Sequence, residues 1–402
     1  MKIIRKKPWP KWPIYGDDEK KAVLNVVNSN QIFANKQVRS FELEFEKYNS
    51  SKNIFCVGNA TQGLHLALCA LNIGVDDEVI VTNFSFISTA SCILMQNAVP
   101  VFCDIESETL GINPNEIEKK ISSKTKAIIY VHMFGIPAKV QEIMKIAKKH
   151  NLYLIEDASH AHGAVYAGKK IGNFGDISVL SLHQRKNLSC GEGGIVIAKS
   201  KQLSQKIYKL RSFGFNELSY NYRMIEFCAA IGRVRLKKLD NENRIRNNNA
   251  KKVFQLFKDI KGISFLRPQN NSYGVFHKLI IFYDFEYFNT SLKTFISFIN
   301  KMGIPIKNTF PPLNEHSHFN SKFSPARGTP WKWKLFSRRK QFPLLLKSGK
   351  YPVSKEFLLK KICELHIHPT VKFSDLKDFY NATNEFINCK KATRENFISY
   401  KS

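Results

Sequence analysis

The sequence predicts an α/β protein built around a large, mostly parallel β-sheet. Short apolar segments that suit buried strands alternate with helical stretches such as residues 138–150 and 200–212. Parallel strands covered by helices on both faces have this pattern. The 402 residues suffice for two domains with a large core. We predict a large domain over residues 1–245 and a smaller α+β domain over 246–402, joined by the polar helical run 236–252.

Residues 54–71 are predicted to form a strand, a tight turn and a helix. The apolar run Ile-Phe-Cys-Val at 54–57 is followed by a short polar turn, and the helix is expected over residues 62–71, with Thr61 as its N-cap. The N–H groups and the dipole at a helix N-terminus favour phosphate. Ala60 and Thr61 therefore form a candidate phosphate-binding turn, and an ordinary β–α connection is the alternative.

An aromatic side chain and an acid follow two further predicted strands. Phe86 comes shortly after the strand at 78–81, where its flat ring could stack on a ligand. With 31 phenylalanines in the chain, a core position is the alternative for Phe86. Asp157 follows Glu156 at the end of a run of four largely apolar residues, 152–155, and open α/β sheets bind ligands at the carboxyl ends of their strands. The alternatives for Asp157 are a helix N-cap or a surface acid.

Lys186 lies between two apolar strand-like runs, 176–180 and 195–198. A lysine in such a place is costly to bury unless its amine is neutralised or used. Low-dielectric surroundings lower the pKa of an amine, and a neutral amine condenses with an aldehyde. This chemistry points to attachment of pyridoxal phosphate (PLP) to Lys186.

PLP makes three further demands on a protein. Its pyridine nitrogen needs a carboxylate, its phosphate needs a cup of N–H groups, and its ring needs a flat apolar neighbour. Asp157, the turn at Ala60 and Thr61, and Phe86 are the candidates that meet them.

The order of short motifs resembles a known family, the DegT/DnrJ/EryC1/StrS sugar aminotransferases. The matching pieces run from about residue 8 to 240 and are Phe-Glu-Leu-Glu-Phe at 41–45, Gly-Asn-Ala-Thr at 58–61, Gly-Val-Asp-Asp-Glu-Val-Ile at 74–80, Pro-Val-Phe-Cys-Asp at 100–104, Val-His-Met-Phe-Gly at 131–135, Glu-Asp-Ala at 156–158, Gly-Glu-Gly-Gly at 191–194, Tyr-Asn-Tyr-Arg-Met at 220–224 and Ala-Ala-Ile-Gly at 229–232. The resemblance implies the aspartate-aminotransferase (type I) fold of PLP enzymes, with a large mixed, mostly parallel sheet domain and a smaller α+β C-terminal domain.

The resemblance also implies roles for individual residues. Lys186 would carry the cofactor and move the substrate proton, and Asp157 would pair with the pyridine nitrogen. The other residues implied to contact the cofactor are Ala60, Thr61, Phe86, His160 near its phenolic oxygen, Ser181 at its phosphate, and Asn221. Asn221 would come from a neighbouring subunit, so a homodimer with shared active sites is expected. Candidate substrate residues are His316, Arg223 and Glu192.

The resemblance implies transamination rather than dehydration. Relatives that have histidine in place of the lysine are PLP-dependent sugar dehydratases, and this chain has Lys186. L-glutamate or L-glutamine is the expected donor. A nucleoside-diphosphate keto-deoxy sugar for surface polysaccharide or related glycans is the expected acceptor. A keto cyclitol (inosose) or an aminohydroxybenzoate-type precursor is the alternative, because Trp-Pro-Lys-Trp-Pro at 9–13 resembles relatives that act on such compounds.

The net charge of +29 is concentrated in part between residues 322 and 361, where Glu356 is the single acid. Three interpretations of this segment remain open. It could form a solvated basic face, a phosphate-binding strip for a nucleotide, or a surface for non-specific contact with nucleic acid or a membrane. No nucleic-acid recognition element is present in the sequence, so no specific nucleic-acid partner is expected. A non-catalytic basic binding protein on the same fold is a further alternative, which the pair Lys186 and Asp157 disfavours.

The sequence indicates neither a disulfide framework nor a membrane protein. None of the eight cysteines forms a C-x-x-C pair, which favours reduced thiols. The His-x-His pairs at 316/318 and 366/368 lack companion ligands, so no metal site is expected. No apolar run reaches the ~20 residues that a membrane helix needs, so no membrane insertion is expected. The basic N-terminus lacks an apolar segment behind it, so we expect no signal peptide and predict a cytoplasmic protein.

Overall fold

The computed structural model describes residues 3–214, 218–316, 319 and 351–399, and it confirms the α/β class. The α-helices in these residues are α1 (Asp17–Asn28), α2 (Lys36–Asn49), α3 (Ala60–Ala70), α4 (Ser88–Met95), α5 (Pro114–Ile117), α6 (Val140–Lys149), α7 (Lys201–Arg211), α8 (Glu226–Leu256), α9 (Phe285–Phe288), α10 (Leu292–Lys301), α11 (Pro352–Glu356) and α12 (Phe373–Ser399). The strands are β1 (Ile54–Val57), β2 (Glu78–Thr82), β3 (Val99–Cys103), β4 (Thr125–Val131), β5 (Tyr153–Asp157), β6 (Val165–Tyr166), β7 (Lys169–Lys170), β8 (Ile177–Ser181), β9 (Gly194–Ala198), β10 (Ile263–Phe265), β11 (Ser272–Tyr273), β12 (Leu279–Tyr283), β13 (Lys307–Asn308) and β14 (Ile362–Leu365).

The main sheet has seven strands in the order β1-β9-β8-β5-β4-β2-β3. The neighbouring pairs from β8 to β3 are parallel, whereas β9 is antiparallel to both β8 and β1. Within this sheet β9 alone therefore runs in the opposite direction. The carboxyl ends of β1, β2, β5 and β8 consequently meet at one edge, where the chain turns into the segments that carry the predicted site residues.

Both faces of the main sheet are buried. Side chains from α3, α4 and α7 pack with one face, and side chains from α2, α6 and α8 pack with the other. Neighbouring strand residues alternate between these cores: Val79 and Val81 face the first, and Ile80 faces the second. The predicted helices at 138–150 and 200–212 correspond to α6 and α7.

A second sheet, of four antiparallel strands in the order β10-β12-β14-β13, follows the long helix α8. It shares a separate apolar core with α10 and α12. The N-terminal segment packs beside this part, because Arg5 forms ion pairs with Asp375 at 2.7 Å and Asp378 at 2.8 Å. The predicted boundary between residues 245 and 246 falls inside α8, which contains the whole predicted linker 236–252; the two-domain division stays a prediction. None of the helices in the described ranges is long and apolar enough to cross a bilayer.

Glu156 is a fully buried acid that anchors β5 beneath the site. Its carboxylate accepts hydrogen bonds from the side chains of His132 and Ser178 and from the backbone N–H groups of Gly172, Phe174 and Gly175. Burial alone would raise the pKa of the Glu156 carboxyl, but these hydrogen bonds outweigh it and the pKa is lowered. Glu156 thereby ties the segment before β8 to the strand that ends in Asp157.

We expect Glu156→Gln to lower the free energy of unfolding at pH 7 by about 3 kcal/mol, because an amide leaves some of these buried donors without an acceptor. A lowered folded-state pKa means that the carboxylate stabilises the fold above its unfolded pKa of about 4.3, and that this contribution is lost as the pH falls below it. The variant should therefore lose less stability than the wild type between pH 7 and pH 3. Urea denaturation at both pH values measures this, with the exposed Glu286→Gln as the control. Equal acid sensitivity of wild type and Glu156→Gln would contradict the assignment.

Candidate active site

A cavity of about 1110 Å³ lies where the carboxyl ends of the parallel strands meet the second sheet. The predicted site residues that line it are Ala60, Thr61, Phe86, Asp157, His160, Ser181, Lys186 and Glu192. They come from positions up to 132 residues apart in the chain, and the fold brings them to one place.

Lys186 lies in the loop between β8 and β9. The loop is closed by backbone hydrogen bonds from Leu182 N to Gly193 O and from Gln184 N to Gly191 O, both 2.8 Å long. Gly191 has a φ of +96°, a left-handed conformation that glycine adopts without strain. Burial lowers the pKa of the Lys186 amine to about 8, although the charge of Asp157 opposes the shift. The neutral, nucleophilic form of this amine is therefore far more populated near neutral pH than that of an exposed lysine.

Asp157 is buried at the end of β5 and belongs to the same cavity. Its Oδ2 accepts a hydrogen bond from Thr89 Oγ1 at 2.8 Å, and its Oδ1 accepts one from Ser159 N at 3.1 Å. These two bonds fix the carboxylate and leave it acceptor capacity toward the cavity. The structure excludes the surface-acid alternative for Asp157.

The N-terminus of α3 forms the other end of the cavity. Its N-cap is Asn59, whose side chain accepts from Gln62 N at 2.9 Å. The prediction of Thr61 as the N-cap was wrong: Thr61 is already inside the helix, and its hydroxyl donates to Ser88 Oγ at 2.8 Å. A Cβ on Gly194 of β9 would lie 2.8 Å from Ala60 N, so only glycine lets the helix start pack this closely on the sheet. The orphan N–H groups of the first turn, near Ser181, suit an anion.

Two rings of different character border the cavity. Phe86 is 52% exposed and meets Phe310 edge-on with ring centroids 6.0 Å apart. His160 is stacked between Phe134, at 6.1 Å, and His277, at 4.6 Å. Burial, aided by the charge of Lys186, lowers the pKa of His160 well below its usual value, so the ring is neutral.

Three predicted residues are not among the described residues that line the cavity. Asn221 is exposed, and its Oδ1 accepts from Arg223 Nε at 3.0 Å. The Arg223 guanidinium lies 4.7 Å from the ring centroid of Phe213. His316 follows the short helical turn Leu313–Glu315. Of the predicted substrate residues, Glu192 lines the cavity, with an oxygen 3.7 Å from His183 Nε2. His318 and most of the basic segment 322–361 lie outside the described residues.

A polar group on and beside the second sheet, which was not predicted from the sequence, also lines the cavity. Its members are His277, Lys278, Lys307 and Glu364. The sequence signal for Lys278 is its position directly before the apolar run Leu279–Tyr283, where a lysine is costly to bury unless it is paired or used. No group of three His, Cys, Asp or Glu suited to a metal ion occurs in the part of the chain that the structure describes.

The residues around the cavity fit PLP in their chemistry. The donor set comprises an amine with a lowered pKa, a buried carboxylate with spare acceptor capacity, and a helix N-terminus whose close packing excludes a side chain at Gly194. These features correspond to the aldehyde, pyridine nitrogen and phosphate of the cofactor.

Comparison with known proteins identifies the family. The sequence model of the DegT/DnrJ/EryC1/StrS aminotransferase family matches residues 13–375. The chain belongs to this family. Members of the DegT/DnrJ/EryC1/StrS family are PLP-dependent transaminases, which makes the chain an enzyme of the aminotransferase class.

Relatives within the DegT/DnrJ/EryC1/StrS family include one enzyme named for a nucleotide-linked sugar and one named for an inosose. GDP-perosamine synthase of Vibrio cholerae is 31% identical over 336 residues, which cover 76% of this chain and 90% of that protein. L-glutamine:2-deoxy-scyllo-inosose aminotransferase of Streptomyces lividus is 34% identical over 296 residues, which cover 67% of this chain and 69% of that protein. The X-ray structure of the aminotransferase from Psychrobacter cryohalolentis matches with a TM-score of 0.85 and 29% identity, over 96% of this chain and 100% of that one.

Proposed function

We propose that this enzyme uses PLP to transfer the amino group of L-glutamate or L-glutamine to a nucleoside-diphosphate keto sugar. The observation that carries the proposal is the joint position of Lys186 and Asp157 in one cavity, with the pKa of the lysine amine lowered to about 8. A binding protein on the same fold would gain nothing from a buried, activated amine.

Each part of the cofactor has a partner in the cavity. Lys186 Nζ would bind the aldehyde carbon, and the first-turn N–H groups of α3, with Thr61 and Ser181, would hold the phosphate. Asp157 would keep a proton on the pyridine nitrogen, while Phe86 and His160 would contact the ring and its phenolic oxygen. When bound, PLP supplies an electron sink for charge that develops on the substrate carbon.

The chain supplies the proton transfer. Once a donor amino group takes its place, the Lys186 amine, with its pKa lowered to about 8, would have a well-populated neutral form near pH 8 that can take the proton from the donor carbon. The same Nζ would return that proton on the cofactor's side of the donor nitrogen, and release of the donor as an oxo acid would also require one water molecule to hydrolyse its carbon–nitrogen bond. The reverse sequence delivers the nitrogen to a keto sugar. Relatives with histidine at this position lack the amine that this route needs, and they are the dehydratases. Because this chain has Lys186, the dehydratase alternative is disfavoured.

A nucleotide sugar is the first acceptor class that the relatives suggest. The match to the GDP-perosamine synthase of Vibrio cholerae extends over 90% of that protein, and the matches to inosose aminotransferases extend over 69–82% of those proteins. A surface-polysaccharide sugar is therefore the first acceptor class to test. A keto cyclitol is the second candidate, because the inosose enzyme is similarly identical over the shared region, 34% against 31%.

We also propose a cytoplasmic homodimer with shared active sites. Asn221 is exposed and does not line the described cavity of its own chain, and exposed apolar side chains lie near it in sequence, at Phe213, Leu218 and Ile225. Exposed apolar groups of this kind mark interfaces. Asn221 of the partner subunit would then reach the phosphate. The eight free cysteines suit a reducing compartment.

The function is tested by the absorbance spectrum of the purified protein with PLP, recorded before and after L-glutamate and then L-glutamine. We expect the visible band of lysine-bound PLP, and its loss as pyridoxamine phosphate forms with the true donor. Keto sugars and inososes, added next, should restore the band if they are acceptors. A protein that acquires no band would overturn the proposal, and a band that neither donor bleaches would exclude the proposed donors.

A further inference from the structure

A cluster of three charged residues on the second sheet lines the cavity opposite the cofactor residues. Lys278 Nζ lies 2.6 Å from both carboxylate oxygens of Glu364, and Lys307 Nζ lies 3.4 Å from Glu364 Oε1. Lys307 and Glu364 are directly paired across β13 and β14, and Lys278 directly precedes β12. The sheet register therefore fixes Lys307 and Glu364, and Lys278 lies one residue before a strand of the same sheet.

The cluster lies near the proposed chemistry. Lys278 Nζ is 5.5 Å from the ring centroid of Phe310, which in turn contacts Phe86. The charge of Lys278 also contributes to the lowered pKa of the Lys186 amine. All three residues of the cluster line the same cavity as Lys186.

The charge of the cluster is not balanced internally. Two lysines share one carboxylate, which leaves one positive charge facing the cavity. The side chains of Lys278 and Glu364 are only 12% and 3% exposed, so this charge is weakly screened, while that of Lys307 is 54% exposed and can move toward a ligand. A buried excess charge is best satisfied by one anionic group with oxygen acceptors.

We propose that Lys278, Lys307 and Glu364 form the subsite that holds a carboxylate of the amino donor. This inference rests on the function proposed above and adds to it the residues that select the donor. A single excess positive charge matches one carboxylate. A nucleoside diphosphate carries more negative charge, and Glu364 would repel it.

Glu364 gives the subsite a second property. The enzyme must hold a donor with a carboxylate in one half of its cycle and a sugar ring without a carboxylate in the other. When the donor product leaves, the lysines remain paired with Glu364 instead of being left as buried, unpaired charges. The same cavity can then accept a ring that presents only hydroxyl groups.

Glutarate, which has the two carboxylates of glutamate but no amine, is a probe that binds without reacting. We expect isothermal titration calorimetry on PLP-loaded protein to show about tenfold weaker glutarate binding for Lys307→Met and for Lys278→Met, as for loss of one charge-assisted hydrogen bond. The KM for the donor should rise by a similar factor, with a smaller change in the KM for the acceptor. Because the Lys307 side chain is half exposed, Lys307→Met should fold normally. The proposal can therefore still be tested if Lys278→Met, at a buried position, does not fold.

The matched control is Lys258→Met, which removes a lysine that is 60% exposed and does not line the cavity. It should leave glutarate binding and both KM values unchanged. Wild-type glutarate affinity in both cluster variants would overturn the subsite, as would a loss confined to GDP or UDP binding, which would identify a phosphate site instead. A wild-type protein that binds no PLP would overturn the proposed function itself, so the two failures are distinguishable.

Discussion

Lys186→Ala is expected to lower turnover by about 10⁴-fold or more, because the variant loses both the amine that binds the cofactor and the base that moves the substrate proton. The cavity should otherwise persist, since the neighbouring loop is held by backbone hydrogen bonds of Leu182 and Gln184 rather than by the lysine side chain. The visible band of lysine-bound PLP should be absent, while the thermal unfolding midpoint stays near that of the wild type. Stopped-flow absorbance and a coupled turnover assay measure both effects.

Lys199→Ala is the control for this substitution, because that lysine is 62% exposed and is not among the residues that line the cavity. It should retain wild-type turnover and absorbance. Turnover by Lys186→Ala within tenfold of the wild type would overturn the assignment of Lys186. If Lys186→Ala does not fold, Lys186→Arg replaces it in the test, because arginine keeps the positive charge but has no neutral amine near pH 8.

The same variant tests the shared active site. In a heterodimer of Lys186→Ala and Asn221→Ala chains, one site would have both substitutions and the other neither. Random mixing should therefore recover about a quarter of wild-type activity, since half of the dimers are mixed and each has one intact site. Activity no greater than the average of the two separate variants would contradict a contribution of Asn221 across the interface.

The strands, and the presence of the main candidate residues close to the strand ends, were predictable because their signals are local. One short apolar run ends in Asp157, and another precedes Lys186. Each can be recognised from neighbouring residues alone, and the burial of both strands in a covered sheet explains why they are apolar. The first residue of α3 could not be predicted from residue types alone. Asn59 and Thr61 are both good N-cap residues, and only the backbone conformation, extended at Asn59, determines which of them lies outside the helix.

The charged cluster could not be assembled from the sequence. Lys278 and Glu364 are 86 residues apart, and Lys307 joins them only through the antiparallel register of β13 with β14. Strand pairing at such separations depends on the whole fold, and a shift of one residue would turn Glu364 to the opposite face. The charge of each residue was visible in the sequence, but the sharing of one carboxylate by two lysines was not.

Asp157→Asn is expected to slow the proton transfer by about 10³-fold, close to 4 kcal/mol in the barrier, while PLP remains bound. An amide is neutral and does not keep a proton on the pyridine nitrogen, so negative charge on the substrate carbon loses its stabilisation. The side chain should stay in place, because its carbonyl can still accept from Thr89 or Ser159. Single-turnover absorbance with L-glutamate measures the rate, and equilibrium dialysis measures cofactor binding.

Two further observations separate the charge of Asp157 from its shape. Thr89→Val removes one hydrogen bond to the carboxylate but keeps the charge, and it should slow the reaction by about tenfold only. The negative charge of Asp157 raises the pKa of the Lys186 amine, so Asp157→Asn should move the titration of that amine to lower pH, whereas Thr89→Val should not. An unchanged rate in Asp157→Asn would mean that another group protonates the ring nitrogen. A rate loss equal in both variants would mean that position, rather than charge, is what Asp157 contributes.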